Sequence, residues 1–140
     1  MADARKVARL LGGQRVLERR IQTEMDLHQV LQRGLSLQSL QFFIGQRQHM
    51  PPDVVVAFVL RRRRKAHPWM PVRLGAYQTD RLFVLADAFA SAAEALNSST
   101  RAETWLLTPM RSREASGRRP IDLLSTPIGE RLVAAEIATL

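Results

Sequence analysis

The sequence predicts an all-α protein, an N-terminal helix-turn-helix-like bundle followed by a small C-terminal helical domain. Three observations carry this prediction. Apolar residues recur at spacings of three and four along most of the 140-residue chain. Ser, Thr and Asp stand where helices would begin, and glycines or prolines stand where they would stop. A shift in charge and pattern near residue 76 separates two parts, 1–76 and 77–140.

Asp3 caps a first helix whose apolar positions Val7, Leu10 and Leu11 run out at Gly12-Gly13, and a short helical piece is expected between Val16 and Ile21. Thr23 and Asp26 approximate a capping box ahead of Leu27, Val30 and Leu31, with Gly34 as the stop. Ser36 caps the next helix, which turns Leu37, Leu40, Phe43 and Ile44 inward. Periodicity leaves the run Val54–Leu60 open between buried helix and strand; its Pro51-Pro52-Asp53 entry and its length favour helix, its valines favour strand.

The connection Pro68-Trp69-Met70-Pro71 to Gly75 marks the boundary between the two parts. From Thr79 onward Leu82, Leu85, Phe89, Ala92 and Leu96 predict one long amphipathic helix. Asn97-Ser98-Ser99 breaks it, and Thr100 with Glu103 has capping-box spacing before Trp105, Leu106 and Leu107. Met110 to Arg119 is polar and reads as an exposed loop. Thr126-Pro127 starts the last helix, expected to bury Leu132, Val133 and Ile137.

Charge is distributed unevenly. Residues 1–76 hold 14 Lys+Arg against 5 Asp+Glu, and 77–140 hold 7 against 8, so the parts carry +9 and −1. All the excess positive charge lies in the first part, as expected of a surface that meets a polyanion. Its densest point is Arg61, Arg62, Arg63, Arg64 and Lys65. Five consecutive residues sweep the whole circumference of a helix, so they fit a helix end, where cations complement the macrodipole and reach phosphates. A plain solvated charge run is the competing reading of these five.

Other chemistry is poorly supplied. The chain has no cysteine, and His28, His49 and His67 are too scattered for a helix-borne metal pair. No nucleophile-elbow or phosphate-loop pattern occurs, so the chain is expected to be neither an enzyme nor a metal or cofactor binder. The longest apolar run is far short of the ~20 residues a membrane helix needs, and Met1 to Gly13 lacks a signal-peptide core, which predicts a cytoplasmic protein with no membrane partner.

The string Thr79-Asp80-Arg81-Leu82, then Trp105-Leu106, Thr108-Pro109, Gly117, Pro120-Ile121-Asp122-Leu123-Leu124, Thr126 and Gly129, resembles the toxin-binding domain of Xre/MbcA/ParS antitoxins. Leu11-Gly12-Gly13 and Gly34-Leu35-Ser36 are similar to the opening of the Xre-like half of that family. The resemblance implies an antitoxin of a type II toxin-antitoxin system. Its C-terminal domain would occlude the active site of a RES-domain toxin that depletes NAD, and its front domain would bind operator DNA, usually as a homodimer within the toxin-antitoxin complex. A stand-alone transcriptional regulator or partition-like DNA-binding protein is the alternative. The chain departs from the family pattern at Arg61–Lys65, which lacks the usual Thr, and at Ala115–Arg119, which replaces Leu-Gly-Gly. Exposed loops on rigid scaffolds carry recognition, so Arg111, Arg113, Arg118, Arg119 and the terminal Leu140 are the residues expected to touch a toxin.

Overall fold

A computed structural model of the chain describes residues 2–60, 73–111 and 117–140. Among these, the secondary structure is helical: α1 (Ala4–Leu10), α2 (Gly13–Leu17), α3 (Glu24–Arg33), α4 (Leu37–Gly45), α5 (Pro52–Leu60), α6 (Ala76–Leu96), α7 (Ser99–Leu107), α8 (Pro120–Leu123) and α9 (Pro127–Ala138). The all-α expectation holds. The run Val54–Leu60 is helix, as its Pro-Pro-Asp entry favours, with Val55, Phe58 and Val59 buried.

Local capping chemistry sets most of the boundaries. Asp3 accepts from Arg5 N–H, Ser36 from Ser39 N–H and Thr126 from Gly129 N–H, each satisfying a first-turn donor that has no partner inside its helix. Thr23 and Asp26 form a reciprocal capping box at the head of α3. The Asp26 carboxylate also accepts the Gln22 N–H, which is the main reason its pKa falls below the usual value.

Three expectations are corrected. The piece expected over Val16–Ile21 is instead Gly13–Leu17, because Glu18 turns left-handed at φ 57° and ends the helix; Ile21 is buried outside any helix. The long helix starts one turn before Thr79, at Ala76, where the Gln78 side chain accepts the Gly75 N–H. The Thr100–Glu103 box does not form. Asn97 closes α6 at φ 54° and Ser98 immediately caps α7, leaving Thr100 inside the helix and Glu103 buried, accepting the His49 N–H at 3.3 Å. In α9 Val133 is buried, while Leu132 and Ile137 are only half-buried.

Helix α6 is the central strut, about 31 Å long at 1.5 Å per residue. It packs against α1, α3, α5, α7 and α9. Alanines at 86, 88, 90 and 92 are buried along it and let the neighbours approach closely. The buried apolar residues form one cluster, running from Val7 and Leu11 through Leu40, Phe43 and Val55 to Leu82, Leu85, Phe89, Leu106, Ile121 and Val133. Residues on both sides of position 76 therefore share a core. Phe43 and Phe89 meet edge to face at its centre, with the Arg47 guanidinium 4.1 Å from the Phe89 ring centroid.

Gly129 fixes the last corner. A Cβ there would lie 1.7 Å from the Leu123 carbonyl oxygen, so only glycine lets the start of α9 pass beneath the end of α8. Among the described residues, no helix is long and apolar enough to cross a membrane.

Candidate functional site

Arg61, Arg62, Arg63, Arg64 and Lys65, expected to contact nucleic acid, lie outside the described residues, as does Arg113. The structure does define what precedes the basic run. In α5, Phe58 O accepts a hydrogen bond from Arg81 Nε. The Arg81 guanidinium lies 4.0 Å from the Phe58 ring centroid, and its Nη1 donates to Tyr77 Oη at 3.1 Å. Arg81 is 7% exposed. Sequence reasoning placed it in a motif but gave it no task; its signal is a cation beside the buried stripe of an otherwise alanine-rich helix.

The other polar residue of that motif makes a similar long-range contact. Thr79 Oγ1 accepts the Leu35 N–H at 3.1 Å across 44 residues, fully buried. Leu35 O in turn accepts from Leu74 N–H at 2.8 Å, and Arg73 Nη1 donates to Gly34 O at 3.0 Å. Gly34 sits at φ 88°, and a Cβ there would come within 3.0 Å of Leu74 O. The Gly34-Leu35-Ser36 turn and the Thr79-Asp80-Arg81 string, two separate parts of the sequence resemblance, are thus in direct contact. Beside this junction a cleft of about 360 Å³ brings Arg33 and Arg73 together with Gln38 and Gln41.

Of the loop residues expected at a protein interface, Arg111 and Arg118 are exposed, and the Met110 N–H to Arg118 O bond of 2.9 Å ties the two stems of the loop. Arg119 is already engaged. Its Nε and Nη2 grip both oxygens of Asp122 at 2.9 and 3.0 Å, and this pairing raises the pKa of its guanidinium. Both residues line a cleft of about 370 Å³ together with Asp53, Val54, Ala57 and Phe58 of α5 and with Arg81. One expected protein-contact residue therefore borders the helix that leads to the basic run. Leu140 is 45% exposed, and its N–H bonds to Ile137 O.

A further feature escaped the sequence reading. Between α6 and α9 runs a groove of about 240 Å³ into which Asp87 and Glu130 project. Asp87 Oδ1 accepts the Ala2 N–H at 2.8 Å, yet burial pushes its carboxyl pKa up. Glu130 is raised by burial and then by the neighbouring charges of Asp87 and Asp80. The two residues lie 43 positions apart, so no local pattern announces their meeting. Among the described residues no group of three or more His, Cys, Asp or Glu is arranged to hold a metal ion.

No protein-family model matches this chain, and no curated protein matches it.

Proposed function

We propose that the chain is the antitoxin of a type II toxin-antitoxin pair, acting in the cytoplasm as a binding protein rather than an enzyme. It occludes the active site of a RES-domain, NAD-depleting toxin with its C-terminal helices and represses its own operon through its basic front part, as a homodimer within the complex. The observation that carries this reading is the ordered set of residues from Asp80 to Gly129 that resembles the Xre/MbcA/ParS toxin-binding domain. Supporting it, several of these residues occupy positions where substitution is constrained: Arg81 bonds the Phe58 carbonyl of α5, Gly129 passes under Leu123, and Thr126 caps α9. The +9 to −1 charge split supports a division between a nucleic-acid surface and a protein-binding surface.

DNA affinity is assigned chiefly to phosphate contacts by Arg61–Lys65, with additional base contacts selecting the site. Co-expression with the product of the adjacent gene, which this reading requires to be a RES-domain protein, followed by co-purification and an NAD assay, tests the first half of the reading; the expected result is a stable complex with NAD preserved. A RES-domain protein that depletes NAD equally with and without this chain would refute it. For the second half, replacing Arg61–Arg64 by alanine should weaken binding to duplex DNA from upstream of the gene and reduce the log-log salt slope by roughly one for each phosphate no longer neutralised. Unchanged affinity and slope would refute the assignment.

A further inference from the structure

Helices α3 and α4 are joined by Gly34, Leu35 and Ser36 alone, the short glycine-containing link of a helix-turn-helix. The link is pinned from inside the fold. Leu35 is 1% exposed, its N–H and carbonyl bond Thr79 and Leu74, and Ser36 pairs with Arg73 in an antiparallel bridge. Leu40 and Phe43 bury one side of α4 in the core, so the helix is held rigidly. On its other side Gln38 and Gln41 are exposed, three residues apart. The solvated face of a helix ordinarily carries charged residues, whereas the described length of α4 carries none and no Asp or Glu occurs anywhere in residues 27–52.

Gln38 and Gln41 line the cleft of about 360 Å³ to which Arg33 and Arg73 also contribute, and Glu18 is the one carboxylate among its lining residues. Both arginines are exposed, and neither forms an ion pair among the described residues. Arg73 Nη1 donates to Gly34 O, which fixes that guanidinium at the turn. Exposed amides beside guanidiniums match the groove of a duplex. Glutamine bonds the N6 and N7 edge of adenine with both ends of its amide, and arginine grips backbone phosphates. Residues three apart on a helix stand about 5–6 Å apart at Cβ, close enough to address neighbouring base pairs. An acidic protein surface would use the arginines but has no need of paired amides beside them. Resting on the operator-binding half of the reading above, we propose that α4 is the base-reading helix, with Gln38 and Gln41 selecting adenines in the major groove and Arg33 and Arg73 holding phosphates beside them. Arg61–Lys65 then supply affinity without sequence choice, and α4 supplies the choice.

The test uses the full chain. Selection from a pool of randomised duplexes yields its consensus, and fluorescence anisotropy then compares that duplex with a shuffled one of equal length. The wild type is expected to enrich adenines at neighbouring positions. Gln38→Ala combined with Gln41→Ala should lose roughly tenfold or more in affinity for the consensus, with far less change for the shuffled duplex, because only base contacts are removed. Gln41→Arg should move one selected position from adenine to guanine, which a merely structural role could not produce. Arg33→Ala should weaken binding to both duplexes and lower the log-log salt slope by about one. Circular dichroism melts establish that each variant is folded. A consensus that the glutamine variants select unchanged overturns this inference and leaves DNA binding standing, as does a wild-type chain that binds every duplex equally. Failure of the wild-type chain to bind any duplex overturns both.

Discussion

Replacing Gly129 by alanine tests whether the α8–α9 corner is as tight as described. Two effects oppose each other. Alanine is favoured over glycine within a helix by up to about 1 kcal/mol, and Gly129 is the third residue of α9 with no positive φ to relieve. Against this, its Cβ would fall 1.7 Å from Leu123 O and 2.7 Å from the Leu123 carbonyl carbon. Ordinary contact requires roughly twice the shorter distance, so a backbone segment has to move by more than an ångström. Overpacking of this kind costs about 1–3 kcal/mol, and the upper end applies because the obstacle is backbone rather than a flexible side chain. The net loss is then about 2 kcal/mol, a substantial part of the 5–15 kcal/mol by which domains are stable. For a chain of this length that corresponds to a fall in Tm of roughly 6–8 °C. Gly45→Ala is the matched control. It lies at the end of α4 with nothing within 4 Å of the added Cβ, so its Tm should stay level or rise slightly. The assay is a reversible thermal melt followed by circular dichroism at 222 nm. A Gly129→Ala protein that melts with, or above, the wild type would refute the reasoning.

Further outcomes follow from individual contacts. Thr79→Val removes the acceptor of the buried Leu35 N–H and should cost about 1–3 kcal/mol, measured by urea unfolding, whereas Thr79→Ser should retain most of the stability. Thr126→Ala deletes the α9 cap, with an expected loss of about 1 kcal/mol in the same assay. The raised carboxyl of Asp87 contributes stability that is fully present below its unfolded value of 3.8 and is lost as pH rises through its higher folded value. Asp87→Asn should therefore melt progressively higher relative to the wild type as pH is raised from 4 to 7; a difference independent of pH would count against the burial of that group. Asp26 is shifted the other way, so its contribution is present above its unfolded value and disappears as pH falls through the lowered one; Asp26→Asn should be less stable than the wild type at pH 7, with the gap closing toward pH 2.

The sequence by itself determined the class of fold and most of the helix limits, because these rest on interactions within a few residues. Asp3, Thr23, Ser36 and Thr126 cap helices wherever the rest of the chain goes, and the Pro51-Pro52-Asp53 entry was enough to favour helix for an ambiguous valine run. The uneven charge was legible for the same reason, since it needs no geometry to count. Tertiary structure alone decided the fate of polar residues inside the helical pattern. Thr100 and Glu103 have the spacing of a box, yet Ser98 stands closer to the break left by Asn97 and takes the cap, so Glu103 turns instead to a loop 54 residues away. Thr79 and Arg81 are only members of a motif string until Leu35 and Phe58 present a buried N–H and a carbonyl to them. The meeting of Asp87 with Glu130 likewise exists only once α9 has folded back on α6. A cap is satisfied by its neighbours along the chain, whereas a buried polar group inside a helix is satisfied by whatever the packing brings across to it, and no local pattern encodes that partner.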